Sequence, residues 1–341
     1  MISEWLPELR YWLYKKNYLR RYRPQGLLVS VGNLRMGGSG KTPFIDLLLR
    51  ELAKKSNEAM RQKPILVVSR NYKAEVVGCA EIQRDRSGGA AYYGDEPWLL
   101  AQKNPSVRFF VGPNKTETVQ AAHSVFQPSL TLLDDGFQHL KLQRDLDIVI
   151  LDPSDLQARI FPWGPLREGP RSLRRARWIV VNFLAPSNQL QNNLQKEYAD
   201  VKKQVAALAG FPHQFALVQG RLSLDPSQIQ KAKALGWAAF AGIARPERFR
   251  QALESEIQQP AKKFWTYSNH HQYEANGPPQ VLEWMAQNPH SLVFTTEKDA
   301  VKLALNEGLR ERIIAVPWRL EFHEGRELVD ELGKLMEAHR G

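Results

Sequence analysis

From Leu27 onward, short apolar runs alternate with stretches of helical spacing. The runs Leu27–Val31, Ile65–Ser69, Val107–Val111, Leu130–Leu133, Ile148–Leu151 and Trp178–Val181 are continuous rather than alternating. That pattern belongs to parallel strands buried on both faces. A helix is expected over 43–55, after the first run, and strand–helix alternation predicts an α/β layered domain. Residues 183–212 are polar and helical, rich in Gln, Asn and Lys, and turn signals near 186 and 225 bracket a junction. Beyond it, Phe215–Val218, Ala238–Ala241, Lys263–Tyr267, Leu292–Thr295 and Ile313–Val316 predict a second, smaller α/β unit. Ahead of the first run, Ile2, Leu6, Leu9 and Leu13 recur at helical spacing beside Trp5 and Trp12, so residues 2–22 read as an amphipathic helix. The expected division is 1–24, an N-terminal helix; 25–212, a parallel-sheet domain; and 213–341, a smaller α/β domain.

The length of 341 residues suits two domains. Hydrophobic residues make up 43%, enough for globular cores, yet no run approaches the ~20 apolar residues of a spanning helix. Charges and prolines interrupt the N-terminus before a signal-peptide core can form. The single cysteine, Cys79, excludes an internal disulfide and fits a reducing compartment, so an intracellular protein is expected. A net charge of +11 favours anionic partners: nucleic acid, acidic lipid or a phosphorylated substrate. The charge is clustered at Arg10, Lys15, Lys16, Arg20, Arg21 and Arg23, and again at Arg167, Arg171, Arg174, Arg175 and Arg177. No recognisable nucleic-acid-binding motif accompanies it. Trp, Tyr, Lys and Arg on a short amphipathic helix suit a lipid headgroup interface, while a helix docked on its own domain with a solvated basic face reads equally well.

The strongest local signal is Val31-Gly32-Asn33-Leu34-Arg35-Met36-Gly37-Gly38-Ser39-Gly40-Lys41-Thr42, between an expected strand and an expected helix. Glycines let backbone N–H groups cradle phosphate oxygens, and the helix N-terminus adds its positive dipole end. Residues 35–42 (Arg35, Met36, Gly37, Gly38, Ser39, Gly40, Lys41 and Thr42) are therefore the candidate nucleotide-binding loop. Lys41 would reach the β- and γ-phosphates, and Thr42 would hold Mg²⁺. Arg35 stands where the standard pattern has its first glycine, and Gly37-Gly38 offers a substitute turn. Leu130–Leu133 runs into Asp134-Asp135, where a strand end delivers carboxylates to a metal beside the phosphate loop. Gly136-Phe137-Gln138-His139 follows, with a turn glycine and two polar side chains at the same edge.

Gly-Gly-Ser-Gly-Lys-Thr-Pro at 37–43, Gly94-Asp95-Glu96-Pro97, Asp134-Asp135-Gly136-Phe137-Gln138-His139, Arg144-Asp145-Leu146-Asp147, Gly164-Pro165-Leu166-Arg167-Glu168 and Thr296-Glu297-Lys298-Asp299-Ala300-Val301-Lys302 occur together and in order. In this the chain resembles the tetraacyldisaccharide 4′-kinase family over nearly its whole length. The resemblance implies a P-loop NTPase-like domain with a second α/β domain closing a cleft. It implies ATP, Mg²⁺ and a tetraacylated glucosamine disaccharide 1-phosphate as acceptor. It places the protein peripherally at the cytoplasmic face of the bacterial inner membrane, on anionic lipid, with no nucleic acid and with no protein partner implied. By motif, Asp134, Asp135, Thr42 and Glu168 would serve the metal and Arg167 the transferred phosphoryl group. Asp95 would be the base, paired with His270 or His271, of which His270 is preferred. Gly-Asp-Glu-Pro is also a good helix start, so Asp95 as an N-cap stands as the structural alternative. Arg167 reads otherwise as a basic surface residue, Glu168 as the partner of a nearby arginine, and Thr296 as a helix cap. Here Asn71-Tyr72-Lys73 follows Ser69-Arg70, Asn269 replaces the family's aspartate before His270-His271, and Gly112-Pro113-Asn114-Lys115 replaces its Asp-Arg form. A P-loop ATPase or GTPase switch, such as a metallochaperone, is the competing reading, and a nucleic-acid-stimulated ATPase a more distant one.

Overall fold

The computed structural model describes residues 2–38, 40–55, 63–183, 193–210 and 213–339. The chain forms two compact units. The first is built on a nine-stranded sheet in the order β13-β8-β7-β6-β1-β5-β2-β4-β3. Its strands are β1 (Leu27–Asn33), β2 (Ile65–Arg70), β3 (Ala80–Glu81), β4 (Arg108–Gly112), β5 (Leu130–Asp134), β6 (Leu146–Leu151), β7 (Trp178–Phe183), β8 (Gln214–Leu222) and β13 (Trp318–Glu324). The pairs from β8 through β4 are parallel, and β3 joins β4 antiparallel. β1 is buried along its whole length between β5 and β6, which is why its sequence is apolar throughout. Apolar layers cover both faces: Leu66, Val68, Phe110, Val119 and Leu133 gather in one cluster, and Val149, Leu151, Ile179, Val181 and Tyr198 in another.

The helices that matter for the site start at strand ends. α1 (Ile2–Lys15) precedes β1, and α2 (Lys41–Lys55) follows it, burying Phe44, Ile45, Leu48 and Leu52. α3 (Gly89–Tyr93) and α4 (Asp95–Lys103) lie between β3 and β4, and α5 (Lys115–Val125) follows β4. α1 is shorter than the expected 2–22. Asn17 takes a left-handed φ of 60°, and the N–H groups of Tyr18 and Leu19 both return to the Leu13 carbonyl, closing the helix. Beyond it the chain turns, and Tyr22 bridges to Leu142.

The second unit, around Gly220–Leu320, is a four-stranded parallel sheet in the order β10-β9-β11-β12: β9 (Trp237–Ala241), β10 (Lys263–Thr266), β11 (Leu292–Thr296) and β12 (Ile313–Val316). Trp237, Phe240 and Phe294 are fully buried in it. The boundaries differ from the expected 213–341. The run Phe215–Val218 belongs to β8, which pairs in parallel with β7 in the first sheet. Glu321–Gly341 also returns to the first unit. There β13 pairs with β8, and the helix Glu327–Ala338 meets α2 through the ion pairs Arg326–Glu51 and Lys55–Asp330.

Candidate active site

Every strand that carries a candidate residue of the first unit ends at the same edge of its sheet. β1, β5, β6, β2, β4 and β7 are parallel neighbours, so their C-terminal ends deliver Asn33, Asp134, Asp155, Ser69, Lys115 and Asn182 to one rim. A strand order that diverges from β1 to either side opens a crevice at such a rim.

The phosphate loop leaves β1 and turns through Gly37, Gly38 and Gly40, with φ values of 75°, 56° and 85°. These are left-handed conformations that glycine adopts without strain. A side chain at Gly40 would also run into Asn182. Arg35 does not make the turn. Its guanidinium reaches across to the fully buried Asp155 (Nε–Oδ1 2.7 Å) and to Ser154 Oγ (3.1 Å). The loop is also held by backbone: Met36 N–H donates to Pro165 O (2.9 Å) and Arg167 N–H to Leu34 O (2.7 Å). Ser39 lies outside the described residues. Lys41 opens α2, and its ammonium donates to Asn33 Oδ1 (3.1 Å) and pairs with Asp135 Oδ1 (3.2 Å). Thr42 follows in the first turn of the same helix.

The acidic pair is packed onto this loop. A Cβ on Gly32 would stand 2.5 Å from that of Phe137, so the glycine admits the Asp-Asp-Gly-Phe turn. Gln138 Nε2 donates to Asn33 O (2.8 Å). Asp134 ends β5 and accepts a hydrogen bond from Ser69 Oγ (3.0 Å), while its Oδ1 is buried without a hydrogen-bond partner. Burial, then the Asp135 charge, pushes its carboxyl up to about 6. Asp135 sits at a left-handed φ of 53°. Burial alone would raise it, but Lys41, Lys115 and Arg167 together hold it well below the usual carboxylate range. Arg167 reaches Asp135 Oδ2 at 2.6 Å.

Among the described residues, no three His, Cys, Asp or Glu gather into a metal cage. Mg²⁺ in phosphotransfer sites keeps several waters and takes one or two protein carboxylates beside substrate phosphates. The unpartnered Asp134 Oδ1 fits such a cation. Glu168 is buried in an ion pair with Arg175, whose guanidinium lies 4.3 Å from the centre of the Phe137 ring. The arginine-pairing role is therefore the one its geometry displays.

Asp95 is buried and is the first residue of α4; the capping position is Gly94, with no side-chain cap. Helix capping does not account for the aspartate. Its neighbour Glu96 adds to the field that raises Asp134, so the start of α4 faces the acidic pair.

Lys115 carried no role in the sequence pattern. Asn114 caps α5, and the expected place for the next lysine is solvent. Instead Lys115 is buried, and its ammonium donates to Asp135 O. Burial lowers it to about 8. Beside it His139 accepts or donates with Thr116 Oγ1 (2.9 Å), and burial and the charges of Lys115 and Arg144 lower the imidazole to about 4.

His270 belongs to the second unit. It has a left-handed φ of 62°, and its Nε2 lies 3.4 Å from Lys298 Nζ. The Thr296–Lys302 motif fastens this histidine segment. Thr296 caps the short helix Glu297–Ala300. The fully buried Asp299 accepts from Gly242 N–H (2.9 Å), Thr296 Oγ1 (2.7 Å) and Tyr273 OH (3.0 Å). Lys302 donates to His271 O (3.1 Å), and the His271 ring stacks on Tyr267 with centroids 4.9 Å apart.

A strand–glycine loop–helix with its lysine on an acidic strand end defines a P-loop protein of the NTPase-like α/β class. Residues 1–337 match the family model for tetraacyldisaccharide-1-P 4′-kinase. The chain belongs to the tetraacyldisaccharide 4′-kinase family. A tetraacyldisaccharide 4′-kinase of Koribacter versatilis is 32% identical over 338 residues, covering 96% of this chain and 95% of its own. That of Bdellovibrio bacteriovorus is 32% identical over 295 residues, covering 85% and 84%. The crystal structure of LpxK from Aquifex aeolicus in complex with ATP superposes with a TM-score of 0.71 at 25% identity, covering 98% of this chain and 96% of that one.

Proposed function

We propose that the chain transfers the γ-phosphate of ATP to the 4′-hydroxyl of a tetraacylated glucosamine disaccharide 1-phosphate, a step of lipid A biosynthesis, at an anionic membrane surface. The observation that carries this is the convergence of Lys41, Asp134, Asp135 and Arg167 on one sheet edge, in a chain that matches the family from residue 1 to 337.

The loop backbone and the α2 N-terminus bind the phosphates. Lys41 exchanges its carboxylate partner for phosphate oxygens, and Arg167 neutralises charge on the transferred group. Thr42, Asp134 and Asp135 would hold Mg²⁺, which when bound neutralises β- and γ-phosphate oxygens. Asp95 takes the proton of the attacking hydroxyl as its oxygen bonds to the γ-phosphorus and the bond to the bridging oxygen of ADP breaks. We assign His270 as the residue that tunes or relays that proton. Glu168 anchors Arg175 under Phe137.

A membrane-surface location is supported by α1, which shows its apolar residues outward. Leu6, Leu9 and Trp12 are exposed, whereas Glu8 pairs with Arg174, Tyr11 lies under Arg174 and Arg175, and Tyr14 is buried. No helix among the described residues is long and apolar enough to cross a membrane. The reading is a peripheral protein at the cytoplasmic face of the inner membrane.

The test is transfer of labelled γ-phosphate to the tetraacylated disaccharide 1-phosphate in detergent micelles. A labelled bisphosphorylated lipid is expected, lost at least about 10³-fold in Lys41→Ala. ATP hydrolysis without lipid labelling would overturn the acceptor and favour the switch-ATPase reading.

A further inference from the structure

A second exposed apolar element stands apart from α1. Phe161 and Trp163 are 60% and 69% exposed, with the exposed Pro162 between them. Scattered exposed apolar residues are ordinary, but two large aromatics on one turn are a concentrated patch. The turn is held firmly outward. Phe161 N–H donates to Leu166 O (2.8 Å), Trp163 N–H to Ile160 O (3.1 Å) and Leu166 N–H to Arg159 O (3.2 Å). Leu166 at its foot is fully buried and bridges to Arg35 in the phosphate loop. Met36, itself 45% exposed, is bonded to Pro165 and extends the apolar surface toward that loop.

The surroundings say what this surface meets. From Ala158 to Arg177 the one acidic residue is Glu168, and it is buried on Arg175. Arg159 and Arg171 are exposed, as are Arg174 and Arg177, of which the first pairs with Glu8 and the second with Glu331. Arg174 also ties this segment to Glu8 of α1. The turn and the outward apolar side of α1 are thus two arms of one scaffold. An aromatic tip beside the exposed Arg159 and Arg171 has the composition of a segment that enters the headgroup region of an anionic bilayer.

We propose that the Phe161-Pro162-Trp163 turn inserts into the interface of an anionic lipid surface, as a second anchor beside the phosphate loop. The inference rests on the membrane-surface reading above. The two anchors would fix the phosphate-loop rim at headgroup level, where an acylated disaccharide presents its sugars.

The experiment uses the full chain with Cys79→Ser and Trp163→Cys, labelled with an environment-sensitive fluorophore. The control label is at Val125→Cys, an exposed position on α5. Vesicles of phosphatidylethanolamine and phosphatidylglycerol should blue-shift the label at 163 and leave the label at 125 unchanged. Phosphatidylcholine vesicles should give a much weaker shift. Phe161→Ser with Trp163→Ser should lower partitioning into the anionic vesicles about tenfold, with ATP binding intact. A chain that co-sediments with vesicles while the label at 163 stays water-like overturns the insertion and leaves the membrane reading standing. A chain that does not co-sediment overturns both. An equal shift with neutral vesicles, or partitioning unaltered in the double variant, also refutes the proposal.

Discussion

Replacing Arg35 by glycine makes the phosphate loop resemble the standard pattern more closely, and the structure predicts that it harms the protein. Arg35 has an ordinary negative φ, so glycine relieves no strain there. The arginine is instead the partner of Asp155, whose side chain is 0% exposed and 2.6 Å from the guanidinium. Burial already raises this carboxyl against the pull of Arg35. Removing one member of such a pair leaves a charge buried and unmatched, at a cost of about 3–5 kcal/mol. Glycine adds about 0.5–1 kcal/mol of backbone entropy. With a urea dependence of about 2–3 kcal/mol per molar, the first unit's unfolding midpoint should drop by about 1–3 M. The sign with pH follows from linkage. A carboxyl raised in the folded state binds its proton there more readily than when unfolded, so the penalty is largest above the folded value and eases as pH falls. Arg35→Gly should therefore be less destabilising at pH 5 than at pH 8. Asp155→Asn in the same chain should recover most of the loss, because the unmatched charge is gone. Urea unfolding of the four proteins, parent, singles and double, forms a cycle. A loss under about 1 kcal/mol at pH 8, or an equal loss in the Asp155→Asn background, would refute the argument.

Lys115→Met should slow phosphoryl transfer about 100-fold by removing a cation from the acidic pair, and Lys115→Arg should stay within about tenfold of the parent; single-turnover rates and ATP affinity separate this from a binding loss. Asp299→Ala leaves the Gly242 N–H and the buried Lys302 ammonium without their carboxylate, and should destabilise the second unit by about 3–5 kcal/mol, read by urea unfolding and by faster hydrogen exchange in β9 and β11. His139 is held neutral down to about 4, below the ordinary range of a histidine, so the folded state binds fewer protons than the unfolded chain in that window and stability falls as pH drops through it. His139→Gln should flatten that part of the stability profile, measured as urea midpoints at pH 7, 5 and 4.

Strands carried by continuous apolar runs were legible in the sequence, because burial on both faces leaves no room for polar positions. β13 was not: in Trp318–Glu324 Leu320 alone is buried, so no run exists to find. The return of the chain to the first unit depends on pairing between β13 and β8, a contact that no local pattern announces. The end of α1 turned on a single asparagine adopting a left-handed conformation. Lys41, Asp134, Asp135 and Arg167 were visible because their motifs fix both residue type and strand context. Lys115 was hidden, since an asparagine cap followed by lysine looks like any solvated helix start, and only tertiary packing buries it. The Arg35–Asp155 pair joins residues far apart in sequence, so the missing loop glycine could be noticed but not explained.

The pairing of β13 with β8 also sets an order of events during translation. All four strands of the second unit lie between Trp237 and Val316 and leave the ribosome as one uninterrupted block. The sheet that carries the phosphate loop begins at Leu27, yet its outermost strand and the helix against α2 are made last. The later unit can therefore finish folding before the earlier one. A nascent chain stalled before Glu321 holds a complete second sheet and a first sheet still without its β13 edge.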